Sequence, residues 1–221
     1  MGSFDKVKVV WSSELAYAVG LITTDGCLYR DGKSVELTSK DKEQLMNFKN
    51  CLGISNKIGY KVSGQTGDRA MRIQFRDAKF YNFLIDIGLT PHKSKTLKEV
   101  RIPDKYFFDF LRGHFDGDGT FYSYWDPRWR SSFMFYTVFI SASEEHARWL
   151  QKNIQRQIRI TGHITKTRSR LPNRTEIFSV KYAKRESLKL LSKMYYNGRV
   201  VCLSRKLRKI QFALAVEKQN L

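Results

Sequence analysis

Cysteine is scarce in this chain: Cys27, Cys51 and Cys202 are an odd, widely spaced set without a Cys-x-x-Cys pair. That excludes a disulfide framework and a structural zinc site, and predicts buried thiols in a reducing compartment. Long hydrophobic runs are missing as well. The longest, Phe133 to Ile140, has the length of a buried strand and falls far short of a membrane span. No apolar segment followed by a cleavage site opens the chain. A soluble, intracellular protein is expected, in cytoplasm or an organelle matrix. Tracts rich in Pro, Gly or Ser are absent, and at 42% hydrophobic and 14% aromatic residues an ordered core is expected. The largest deficit is in acids: 21 Asp and Glu face 40 Lys and Arg, a formal net charge of +19. Such a surface repels itself, and contact with phosphates relieves the repulsion while releasing condensed counterions. The basic residues are dispersed among strand-like segments and do not stripe one amphipathic helix, so nucleic acid is the expected partner and a membrane is not.

What is present is a repeat. Ala18-Val-Gly-Leu-Ile-Thr-Thr-Asp25-Gly26 is answered by Leu111-Arg-Gly-His-Phe-Asp-Gly-Asp118-Gly119, each ending a helix-like stretch on Asp-Gly. Val35 to Asp41 matches Val138 to Glu144 as a strand running into a polar helix start. Met71 to Ala78 matches Ile177 to Ala183 as a strand feeding an amphipathic helix, with apolar positions Phe80, Phe83, Leu84 and Ile87 or Leu188, Leu191 and Met194. Each half therefore reads helix, two strands, helix, two strands, helix. The second half is longer, with its extra residues at two turn-like tips, Tyr122 to Ser132 and Arg168 to Arg174. Residues 1–100 and 101–221 are the two expected domains, divided near Pro103.

The helix expected from Ser13 to Asp25 is apolar almost all round, which implies burial against another helix. Ala16 and Gly20, like Gly113 and Gly117, lie four apart and give each motif helix a flat face. Glycine inside a helix costs about 1 kcal/mol relative to alanine, so close backbone approach is the expected reason. Gly26 and Gly119 suit a helix end, which holds Asp25 and Asp118 in the last turn. Two carboxylates brought together at the negative ends of two helix dipoles repel unless a cation sits between them. Hard oxygen ligands with open positions favour Mg²⁺. The alternative is that each Asp-Gly is merely a turn, which two copies at the ends of glycine-bearing helices disfavour. An EF-hand is excluded, because Phe121 would stand at the sixth loop position and Pro127 at the twelfth.

With these motifs the chain resembles the single-chain, two-motif form of the LAGLIDADG homing endonucleases over nearly its whole length. Phe110-Leu-Arg-Gly-His-Phe-Asp-Gly-Asp-Gly119 is the closer match, whereas the first motif places Thr23 and Thr24 before Asp25. The resemblance implies an α+β fold: a tandem pseudo-two-fold repeat of αββαββα, with two saddle-shaped antiparallel sheets and the motif helices at the interface. It implies a monomer that hydrolyses both strands of a long duplex site and leaves 3′ overhangs. Ca²⁺ would support binding without cleavage. It assigns Asp25 and Asp118 to metal, with the carbonyls of Thr24 and Gly117, and gives Asp116 a structural role. Family enzymes also place a basic residue near each scissile phosphate, for which Lys95 and Lys206 are the candidates, with a merely solvated lysine as the alternative.

Strand alternation supplies the expected DNA face. Arg72, Gln74 and Arg76 project opposite Ile73 and Phe75, and Lys166, Arg168 and Arg170 form a row in the second half. Arg30, Lys33, Lys57, Lys61, Arg69, Arg128, Arg130 and Lys181 are assigned to the same surface. A different class of function stands beside the nuclease: a non-cleaving binder, either a maturase acting on intron RNA or a DNA-binding regulator. Retention of both aspartates argues against it. An intein is not expected, since no splicing Cys or Ser opens the chain and no His-Asn pair closes it.

Overall fold

Helix-forming and strand-forming segments alternate along the chain as the repeat predicts. The computed structural model describes residues 6–62, 67, 69–129, 131–167, 176–196 and 199–219. The first repeat runs α1 (Ser13–Asp25), β1 (Gly26–Leu28), β2 (Ser34–Ser39), α2 (Lys42–Leu52), β3 (Gly59–Val62), β4 (Arg69–Arg76) and α3 (Ala78–Asp86). The second runs α4 (Phe107–Asp118), β5 (Thr120–Trp125), β6 (Phe133–Ser141), α5 (Glu144–Ile158), β7 (His163–Thr167), β8 (Ile177–Ala183) and α6 (Lys184–Met194), with α7 (Ser204–Gln219) added. No helix of the described residues is long and apolar enough to cross a membrane.

By packing, the chain divides into two compact units, Met1–Gly117 and Asp118–Leu221. This differs from the division at 100 and 101 expected from the repeat, because most of α4 packs with the first unit although it opens the second repeat.

In the first unit helices α1, α2 and α3 each start on a side-chain cap. Ser12 accepts from the Leu15 N–H, Asp41 from Glu43 and Asp77 from Phe80, so an exposed end N–H is satisfied in each case. Asp77 is buried and also accepts the N–H groups of Lys6 and Val7 at 2.7 and 2.9 Å, tying the leading segment down. The antiparallel sheet has the order β1-β2-β4-β3. Leu28, Val35, Leu37, Ile73 and Phe75 point to the helices and are buried, while Arg72, Gln74 and Arg76 alternate onto the other face.

Helix α1 is buried from Leu15 through Thr23, in line with its all-round apolar sequence. Glycine makes its contact with α4 possible. A Cβ added to Gly20 would lie 2.6 Å from the His114 nitrogen, and one on Gly113 would lie 2.9 Å from the Tyr17 carbonyl carbon, with the carbonyl oxygens closer still. Both obstacles are backbone, which cannot rotate aside. The Tyr17 hydroxyl donates to Asp116 Oδ2 at 2.8 Å, and the buried pair Arg112 and Asp109 meets at 2.7 Å. Burial first, and then the Asp116 charge, push the Tyr17 hydroxyl pKa well up, so it remains a donor. Replacing Gly113 with Ala is expected to destabilise the protein by about 2–3 kcal/mol and to lower Tm by roughly 4–12 °C. Gly59→Ala, where an added Cβ meets nothing within 4 Å, is the calorimetric control and should leave Tm within about 2 °C.

In the second unit the antiparallel sheet has the matching order β5-β6-β8-β7. Phe121, Phe133, Phe135, Phe139, Val180 and Tyr182 face the helices and are buried. Ser143 caps α5, accepting from the His146 N–H. Two expectations shift here. The segment from Tyr122 was expected as an enlarged tip, but β5 continues to Trp125 because Phe121, Ser123 and Trp125 alternate with Tyr122 and Tyr124. Helix α6 buries Ser187, Leu190, Leu191 and Met194 and leaves Leu188 36% exposed, beside Leu207 and Leu214 of α7.

Candidate metal centre and nucleic-acid interface

Both motif aspartates stand where the sequence places them, as the last residues of α1 and α4. Asp25 is half-buried and Asp118 is exposed. Thr24 and Gly117 directly precede the two aspartates in the last turns of α1 and α4, where backbone carbonyls point along the helix axis toward its C-terminal end. Gly117 has a local reason of its own: a Cβ there would lie 2.7 Å from Thr24 Cβ and 2.9 Å from Asp25 Oδ2. Any larger residue would press on the acid.

A residue that the motif reading missed fixes Asp25. The Gln44 amide Nε2 donates to Asp25 Oδ2 at 2.6 Å, from the first turn of α2 where Asp41 is the cap. Gln44 is 4% exposed, and a buried amide needs such a partner. His146 occupies the matching position of α5, three residues after its cap Ser143, and it stacks on Trp149 with ring centroids 5.2 Å apart. The only sequence signal was the position itself, a polar side chain on the inner face of a helix start.

The lysines divide. Lys206 lies at the start of α7, is 6% exposed, and donates from Nζ to the Gly119 carbonyl at 2.7 Å. Its counterpart in the first unit is Lys93, which is 4% exposed and donates from Nζ to the Gly26 carbonyl. Lys95 was the expected residue, but it is exposed on the same short 3₁₀ turn, Lys93–Lys95. Residues two apart on such a turn differ by roughly 240° in direction, so only one of the pair can face inward. His92, with a left-handed φ of 56°, sets the chain direction just before Lys93. Each unit thus ends a motif helix in the same three parts: an aspartate, the glycine after it, and a buried lysine on that glycine's carbonyl.

The sheet faces sort the other basic residues. On the open face of the first sheet, Arg72, Gln74 and Arg76 share a side with Lys61, whose partner in register is Ala70. Glu36 lies among them, 1% exposed, accepting from Lys61 at 2.7 Å, Tyr29 at 2.9 Å and Arg72 at 3.1 Å. Burial acts to raise the Glu36 pKa, but bonds from Lys61 and Tyr29 and the charges of Lys61 and Arg72 outweigh it and leave it lowered. The order that Glu36 gives this face is therefore present at neutral pH and is lost as pH falls through that lowered value. Arg30 and Lys33 are exposed in the β1–β2 turn and Lys57 just before β3.

Other assignments move. Arg69 pairs with Val62 in register on the side of Ile73 and Phe75, and its guanidinium lies 3.9 Å from the Tyr60 ring centroid. Lys166 pairs with Phe178, whose side chain is buried toward the helices, and meets Glu176 at 2.9 Å, so it is not on the open face. A one-residue difference in strand parity separates the expected row from this outcome. Lys181 is on the open face of β8, opposite Val138. Arg128 sits at the β5–β6 tip, where its own Asp126 holds it. Arg130, Arg168 and Arg170 lie outside the described residues.

No family model and no curated sequence matches the chain. Solved structures do. The homing endonuclease I-WcaI, bound to its DNA recognition sequence, is 14% identical over 90% of this chain and 88% of its own, with a TM-score of 0.59. The fold is LAGLIDADG-like. I-DmoI, in complex with DNA and Mn, is 12% identical over 85% of this chain and 98% of its own, with a TM-score of 0.53. The N-terminal LAGLIDADG domain of DUF199/WhiA is 18% identical over 95% of this chain and 92% of its own, with a TM-score of 0.54. At these identities the likeness establishes the LAGLIDADG fold, which homing endonucleases share with WhiA: two four-stranded antiparallel sheets and, among the described residues, seven α-helices.

Proposed function

We propose that this chain is a site-specific DNA endonuclease of the LAGLIDADG type, acting as a monomer on a long duplex and hydrolysing both strands to leave 3′ overhangs. The observation that carries this reading is the duplicated arrangement of an aspartate, a glycine carbonyl and a buried lysine at the end of each motif helix. A fold that only binds DNA has no need of two buried lysines beside two helix-terminal acids. Similarity to endonucleases crystallised on DNA, one of them with Mn, supports the substrate and the metal dependence.

The residues suit Mg²⁺. Two carboxylates with backbone carbonyls are a hard oxygen donor set, and an ion held by few acids that completes its shell with water and phosphate is the arrangement Mg²⁺ prefers. Asp25 and Asp118, with the carbonyls of Thr24 and Gly117, would hold it. The bound ion supplies charge neutralisation and a water of lowered pKa. Gln44 holds Asp25 in one rotamer, and Lys93 and Lys206 stabilise negative charge building on the phosphate in the transition state. The basic open face of the first sheet, with Arg72, Gln74 and Arg76, grips phosphates and reads major-groove edges.

Binding to duplexes selected from a randomised library in Ca²⁺ tests the substrate. The dissociation constant is expected to rise roughly 10³-fold between 50 and 200 mM salt, since several phosphates are neutralised. A flat salt response would contradict the basic face.

A further inference from the structure

The open faces of the two sheets carry different chemistry. The first presents Lys61, Arg72, Gln74 and Arg76 around the buried Glu36. The second presents Tyr122 and Tyr124 from β5, Tyr136 and Ile140 from β6, and Lys181 from β8, all on one side by register, with Val138 of the same side buried. Its other side is already filled by α5, α6 and α7, so the open aromatic surface is surplus to the core. Tyr122 and Tyr124 remain 37% and 41% exposed. Three tyrosines side by side on one strand face, two of them partly solvated, offer amphipathic ring surface that a partner can contact.

The rings are ordered before any partner arrives. Tyr122 and Tyr136, directly opposed across the strands, have centroids 5.2 Å apart and planes 24° apart, and Tyr124 lies 6.1 Å from Tyr136 at 13°. At 5.2 Å and 24° Tyr122 and Tyr136 form an offset stack, in which each ring takes up part of one face of the other. Lys181 Nζ sits 4.1 Å from the Tyr136 centroid and 5.3 Å from that of Tyr122. A hydrogen bond with Tyr124, then burial, pushes the Tyr136 hydroxyl up to about 12, so it stays protonated. Ring faces engaged with each other are poor platforms for stacking unpaired bases. Ring edges and aliphatic neighbours suit an apolar groove surface, and the one such group that base pairs offer in the major groove is the thymine C5-methyl. Lys181 and the net charge of +19 match the phosphates beside it.

We propose that the second unit reads its part of the duplex by apolar contact of Tyr122, Tyr124 and Tyr136 with thymine methyl groups, while the first reads by hydrogen bonds from Arg72, Gln74 and Arg76, so that one half-site is thymine-rich. This rests on the DNA-binding reading above.

Uracil differs from thymine only by that methyl and pairs identically. Duplexes recovered by selection in Ca²⁺ are resynthesised with uracil for thymine in one half at a time, and binding is measured for the wild type, Tyr122→Ala, Tyr124→Ala and Arg72→Ala. Uracil in one half is expected to weaken wild-type binding at least tenfold, and uracil in the other less than twofold. The tyrosine variants, checked to melt at the wild-type temperature, should bind thymine and uracil duplexes alike, whereas Arg72→Ala should bind both more weakly with the ratio intact. Equal binding of both duplexes by the wild type, or an unchanged ratio in both tyrosine variants, overturns the proposal and leaves DNA binding standing. Failure to recover any duplex overturns both.

Discussion

Asp25→Asn and Asp118→Asn are each expected to lower the Mg²⁺-dependent cleavage rate by a factor on the order of 10³ while leaving binding in Ca²⁺ within a few-fold of wild type. The substitution keeps size and, at position 25, keeps an oxygen to accept the Gln44 amide, now 2.6 Å from the carboxylate. It removes the negative charge that a divalent cation requires. Single-turnover cleavage of a selected duplex, with binding measured in parallel, separates the two effects. Normal cutting by both variants would end the assignment of these acids. Loss of binding together with cutting would show instead that the aspartates support the helix ends.

Lys93→Met and Lys206→Met are expected to lower the single-turnover rate by about 10²-fold each, and Lys95→Ala to change it less than twofold. Methionine preserves much of the buried stem and removes the donor to the Gly26 or Gly119 carbonyl. A purely structural lysine would lower Tm and leave the rate of the folded fraction alone, so thermal melting accompanies the kinetics. A large effect at Lys95 with none at Lys93 would reverse the reading drawn from the turn.

Much of the fold was legible in the sequence because its two periodicities are clean. Alternation in Arg72–Arg76 gave the open face of β4 directly, and the apolar length of α1 gave its burial. The glycine spacing gave the close helix packing, although Gly20 and Gly113 turned out to be the residues that meet backbone. Three things were hidden. Lys93 and Lys95 are both lysines in one short turn, and only the local chain direction at His92 decides which faces in. Lys166 looked like part of an outward basic row because the parity of β7 is set by its register with β8, a long-range pairing that local pattern does not carry. Tyr122 and Tyr124 were lost in an apparent loop, since Pro127 and the polar residues around it obscured where β5 ends. Glu36 was invisible for a related reason: an acid in a basic chain signals nothing until three donors are seen to converge on it.

The most direct test follows both strands of a selected duplex, each labelled at its own end, after Mg²⁺ is added to the preformed Ca²⁺-free complex. Scission of both strands at a fixed offset that leaves 3′ extensions is the predicted result. A complex that persists in Mg²⁺ and in Mn²⁺ with both strands intact would contradict it, and would mark the chain as a binding module built on the same scaffold.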